Sequence, residues 1–167
     1  MVKRIAIATG VFMAIGAGAS LAEDKKNGAA DDAAFEFTHV SCTGAENEIR
    51  IIVDGVVRPQ GRVTADLFPN KEDGFLRGRG RIEQVSFAAK TPQTKFCMRA
   101  PESGQFAIAV YHDENANGDF DKNGIGLPAE PWGISNNPKI RFGPPSVDKA
   151  LFDVTPENGA KITISLN

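Results

Sequence analysis

Reactive side chains are scarce in this sequence. It has two histidines, two cysteines, one tyrosine and one tryptophan in 167 residues. There is no Gly-x-Ser-x-Gly elbow, no His-Glu-x-x-His pair and no Cys–His arrangement, which excludes the motif-borne nucleophilic and zinc hydrolases. An excess of positive charge is also missing. Nineteen basic residues face 21 acidic ones, for a formal charge of −2, and such a balance does not suggest a nucleic-acid partner. Past residue 22 no apolar run is long enough to cross a bilayer. There is no internal repeat, no interdomain linker and no helical stripe of apolar residues.

What is present begins with a leader. Lys3 and Arg4 form a short basic region, an apolar run follows, and Ser20 and Ala22 are small residues at the −3 and −1 positions of a cleavage site. This is the pattern of a secretory signal peptide over residues 1–22, cut after Ala22. The expected location is therefore periplasmic or secreted. No Cys follows the cut and no twin-Arg pair precedes it, so neither a lipid anchor nor folded export is indicated. Without Lys3 and Arg4 the basic count falls to 17 and the formal charge to −4. Residues 23–33, "EDKKNGAADDA", are polar enough to read as a disordered leader, which leaves 34–167 as one domain. In an oxidising compartment Cys42 and Cys97 most simply form one bridge. A loop of that length would restrict the unfolded chain by about 4 kcal/mol.

Within the domain the apolar period is two. Strand-like runs fall at 35–37, 48–56, 61–68, 81–87, 95–99, 104–112, 150–154 and 161–166. Val63, Ala65 and Leu67 share one face, as do Phe106, Ile108 and Val110. Ala107, Ala109 and Tyr111 look the other way, and Ile162, Ile164 and Leu166 align. Turn clusters such as "PNKEDG", "APESG" and "TPENG" separate the runs. The expectation is an all-β, antiparallel sandwich of about seven strands. "RGRGR" at 77–81 reads as a charged loop that protects a sheet edge, with an anionic-ligand patch as the alternative.

The stretch from His112 to Asn137, "HDENANGDFDKNGIGLPAEPWGISNN", has little apolar content and is longer than an ordinary connection. Asp113, Asn115 and Asn117 alternate, Gly118 follows, and Asp121 comes three residues later. Counted from Asp113, oxygen donors fall at positions one, three, five and nine, with the bend glycine at six and the Asp119 carbonyl at seven. This is the front half of an EF-hand-type calcium loop, in which alternate side chains converge on one hard cation. Position twelve is Gly124 rather than a bidentate Glu, and Glu130 is the nearest acidic substitute. The competing reading is a set of Asx turns in which Asp and Asn cap their own backbone. Calcium is the only cofactor indicated. His112 is either a strand-end hydrogen-bonding group or, with Asp113 or Glu130, an acid–base pair. Trp132 is either a clamp that holds the loop to the sandwich or a platform for a sugar or peptide.

The run "YHDENANGDFDKNGIGLPAEPWGISNN", with the upstream "GRVTADLF" strand, resembles the bacterial domain of unknown function 2141 family, over about 49–166. The resemblance implies a prealbumin-like or immunoglobulin-like sandwich of a small exported protein. Its signature positions here are His112, Asp113, Asn115, Asn117, Gly118, Asp121, Pro128, Glu130, Gly133 and Ser135. It implies no activity. The leading expectation is a non-catalytic exported module with a calcium-stabilised loop, binding a protein or small molecule at the cell envelope. The rivals are a hydrolase using His112 with Asp113 or Glu130, and a scaffold that only stabilises an assembly.

Overall fold

A computed structural model describes residues 42–140 and 143–167. The leader at 1–22, the polar segment at 23–33, the run at 35–37 and His39 lie outside the described residues. The strands are β1 (Glu48–Asp54), β2 (Arg62–Pro69), β3 (Glu83–Ala88), β4 (Gln93–Arg99), β5 (Gly104–Asp113), β6 (Trp132–Ile134), β7 (Phe152–Val154) and β8 (Ala160–Ser165). They form two sheets, β4-β1-β8 and β3-β2-β5-β6, with β7 also paired to β5. No helix among the described residues is long and apolar enough to cross a membrane.

Alternation builds the core. Ile49, Ile51 and Val53 of β1, with Phe96, Met98 and Ile164, pack against Val63, Ala65 and Leu67 of β2 and Phe106, Ile108 and Val110 of β5. Each large side chain so buried contributes about 1.5–3 kcal/mol. The opposite face of β2 and β5 is covered too. Phe68 and Ala107 sit there with Phe75, Ile134, Val147 and Ala150, supplied by connections that fold back over the sheet. Cys42 and Cys97 are joined, with Cα atoms 5.7 Å apart, which pins the chain ahead of β1 to β4.

Two features depart from the sequence expectation. β6 is an additional strand, inside the stretch read as a loop. Its three residues pair with the middle of β5, with Val110 opposite Gly133. A run that short, with a glycine at its centre, shows no alternation to detect. The pairing of β1 with β8 is parallel, Ile49 opposite Ala160 and Asp54 opposite Ser165, whereas the other pairs are antiparallel. The "TPENG" turn carries the chain from β7 in one sheet to β8 in the other, closed by reciprocal hydrogen bonds between Thr155 and Gly159. Because the turn switches sheets, β8 takes the edge of β1 that β4 leaves open. Strand direction has no counterpart in the period of the side chains.

Candidate functional site

β5 carries His112 and Asp113 to the start of the acidic loop while both are still in the strand and fully buried. The His112 Nε2 lies 2.8 Å from the Gln60 carbonyl oxygen, and its Nδ1 is 3.9 Å from Glu114 Oε1. Both carboxylate oxygens of Asp113 accept from the loop that follows. Its Oδ1 accepts from the Asn117 N–H at 3.1 Å and its Oδ2 from the Gly118 N–H at 2.8 Å. The imidazole is thus buried against a carbonyl and the neighbouring carboxylate is capped by two amides.

The loop is a chain of Asx turns. Asn115 Oδ1 accepts from the Asn117 N–H, Asn117 Oδ1 from the Asp119 N–H, and Asn123 Oδ1 from the N–H groups of Ile125 and Leu127. Gly118 at φ 86° supplies the left-handed bend that a side chain would resist. The donors also gather. The amides of Asn115 and Asn117 both donate to the Asp121 carboxylate, at 2.7 Å and 3.1 Å. Asp121 donates its own N–H to Glu130 Oε2 at 3.1 Å. A short hairpin, bridged between Lys122 and Pro128, returns the chain so that Glu130 reaches Asp121. Glu130 is 8% exposed, and its second oxygen, Oε1, is buried without a hydrogen-bond partner. Burial pushes the Glu130 carboxyl above the usual range; the backbone N–H groups of Asp121 and Glu114 oppose this, and the charges of Asp113 and Asp121 reinforce it. Asp119 stays exposed at the loop's outer rim.

Among the described residues, the one set of three His, Cys, Asp or Glu ligand atoms within 4.8 Å of one another is Cys42, Glu48 and Cys97, and there the thiols are spent in the disulfide. Asp113, Asp121 and Glu130 are brought to one loop but do not all close to that distance.

The tail of the same stretch has a different task. Gly133 passes so close to the backbone of Ser165 and to Ile164 Cγ2 that a Cβ would stand 2.8 Å from that methyl. The buried Ser135 hydroxyl accepts from the Ile108 N–H at 3.0 Å and donates to the Ala150 carbonyl. Asn137 accepts from the Ser165 N–H and donates to the Thr163 carbonyl. Gly133 and Asn137 hold β6 against β8, and Ser135 ties its end to β5 and to the connection before β7.

The loop also forms the wall of a groove of about 710 Å³ on the outer face of the larger sheet. Its floor is Asp66, Phe68, Ala109 and Tyr111. Phe120, Lys122, Leu127 and Pro128 of the loop line it, as do Leu76, Arg81, Ile140 and Pro144. Trp132 closes one end, 6.4 Å from Phe120, which in turn lies 5.3 Å from Tyr111. Trp132 therefore packs against the outer-face core and lines the groove at once. The Tyr111 hydroxyl donates to the Gly118 carbonyl at 3.2 Å and ties floor to wall. Burial raises the Tyr111 hydroxyl, with the charges of Asp66, Asp113 and Glu130 adding to it. Burial likewise raises Asp66, against the lowering effect of Arg81 at 3.4 Å and a hydrogen bond from Gln84. The middle of "RGRGR" forms a 3₁₀ turn at the lip, with Arg79 paired to Asp73 in the open and Arg81 turned to Asp66.

Sequence reasoning missed Asp66, Tyr111, Phe120 and Gln84. One signal was available: Asp66 is a carboxylate in a central strand, on the face it shares with Thr64 and Phe68, where alternation calls for something that can be covered.

Fold and site together define an all-β sandwich with a small-molecule-sized groove walled by an Asx loop; cavities of ~300–1,000 Å³ are typical of ligand sites. Residues 51–162, more than half of the chain, match a family described as "Uncharacterized protein conserved in bacteria (DUF2141)". The chain belongs to that family. No curated protein and no solved structure matches it.

Proposed function

We propose that the protein is a non-catalytic binding module of the bacterial envelope, exported by its N-terminal leader, which takes its ligand in the outer-face groove and uses calcium to order the loop beside it. One observation carries this reading: the loop that walls the groove also holds a buried carboxylate oxygen, Glu130 Oε1, with no partner. An orphaned buried acceptor of that kind costs about 1–3 kcal/mol, and a cation would satisfy it. Asp113, Asp121 and Glu130 supply hard oxygens of the type calcium takes, and Asn115 and Asn117 can add neutral ones by turning their amides. The role of the ion is structural. It would draw the carboxylates together and offset the burial and, secondarily, the repulsion that raise Glu130. The burial of His112 and the capping of Asp113 favour a binding role over a hydrolytic one.

Trp132 is the single tryptophan, it lines the groove, and it touches the loop through Phe120. Titrating calcium into metal-free protein should therefore change its emission saturably, with a dissociation constant of about 10⁻⁴–10⁻³ M. An emission spectrum and a melting temperature both indifferent to calcium would remove the ion from the account.

A further inference from the structure

We infer that the groove takes an uncharged ring compound carrying a hydroxyl or carbonyl group on one edge, of the phenol or quinone type; this rests on the groove being the binding site. Charge comes first. Among the described residues lining the groove, two are acidic, Asp66 and Asp119, and two basic, Arg81 and Lys122, and Asp66 lies 3.4 Å from Arg81. Asp66 and Arg81 are each other's counter-ion and the lining as a whole carries no net charge, so it offers no field that favours a charged ligand. The distribution of polarity comes second. Asp66, Arg81 and Gln84 cluster along the β2–β3 side and can both donate and accept. Tyr111, Phe120 and Trp132 form an aromatic cluster in the same lining, and the Tyr111 hydroxyl is given to Gly118. A ligand there needs one hydrogen-bonding edge and an apolar body. Shape comes third. The ring of Phe120 is tilted 50° from Tyr111 and 64° from Trp132, so the three rings make no flat shelf. Rings set at angles to one another can meet a compact ring system on more than one side. A sugar, by contrast, lies on a flat shelf and needs polar partners around most of its rim.

The test is calorimetry of the purified protein with 2-naphthol, naphthalene-2-sulfonate and maltose. Gly78→Phe is the control. Gly78 stands on the groove lip, where an added Cβ meets nothing within 4 Å, so the ring should obstruct the groove without disturbing the fold. Leu127→Trp, at an exposed position of the loop, is a second blocking variant. The expected result is saturable binding of 2-naphthol, at least about tenfold tighter than the sulfonate, no heat from maltose, and loss of naphthol binding in both variants with melting temperature unchanged. Tighter binding of the sulfonate or of maltose, abolished by the same variants, overturns the ligand class and leaves the groove as the site. Naphthol binding that survives both variants, or no binding by any probe, overturns the groove itself.

Discussion

Replacing Glu130 with glutamine should have opposite consequences with and without calcium. In wild-type protein kept in EDTA, the carboxylate is buried, close to the charges of Asp113 and Asp121, and one of its oxygens has no partner. Glutamine keeps a carbonyl oxygen for the Asp121 N–H and removes the charge. Relief of a desolvated charge held beside two others predicts a gain on the order of 1 kcal/mol, or roughly 2–4 °C in melting temperature for a chain of this size. The sign with pH follows from the raised carboxyl. A raised folded-state pKa means that protonation favours the native state. The wild-type deficit should shrink as pH is lowered toward and below 4.5, the ordinary value for Glu, and widen as pH rises above it. Calcium reverses the ranking. At about ten times its dissociation constant it should stabilise wild type by about 1.4 kcal/mol, while the glutamine variant, short of one anionic ligand, gains much less. Scanning calorimetry of both proteins in EDTA and in millimolar calcium measures all of this. A variant less stable than wild type in EDTA, or one with an undiminished calcium shift, would refute the role given to Glu130.

Further outcomes follow from the same contacts. Gly133→Ala should lose about 1–3 kcal/mol by overpacking against Ser165 and Ile164, whereas Gly124→Ala, in open space in the same loop, should stay within about 0.5 kcal/mol; urea midpoints of the pair read the difference. Ser135→Ala strands the buried Ile108 N–H and Ala150 carbonyl and should cost about 1–3 kcal/mol for each group left unpaired, seen as a lower denaturation midpoint at unchanged slope. Intact mass after alkylation should show no adducts without reduction and two with it. Reduction should cost about 4 kcal/mol for a bridge spanning 55 positions, and a melting temperature that does not respond to reductant would contradict that figure.

Alternating apolar residues were enough to place seven of the eight described strands and to say which side chains of β2 and β5 face the core, because burial on one side of a pleated strand leaves a period of two in the chain. The order of Asp, Asn and Gly after His112 was enough to mark the loop, and the cysteine pair was enough to expect its bridge. Neither the parallel seat of β8 nor the strand β6 could be read in advance, since both depend on which edges of distant strands remain open. The groove belongs wholly to the tertiary structure. Asp66, Tyr111, Phe120 and Trp132 come from four separate places in the chain, and only the folding of the loop over the outer face of the sheet makes them neighbours. A linear sequence records what each residue prefers locally; a cavity is a relation among residues that no local preference encodes.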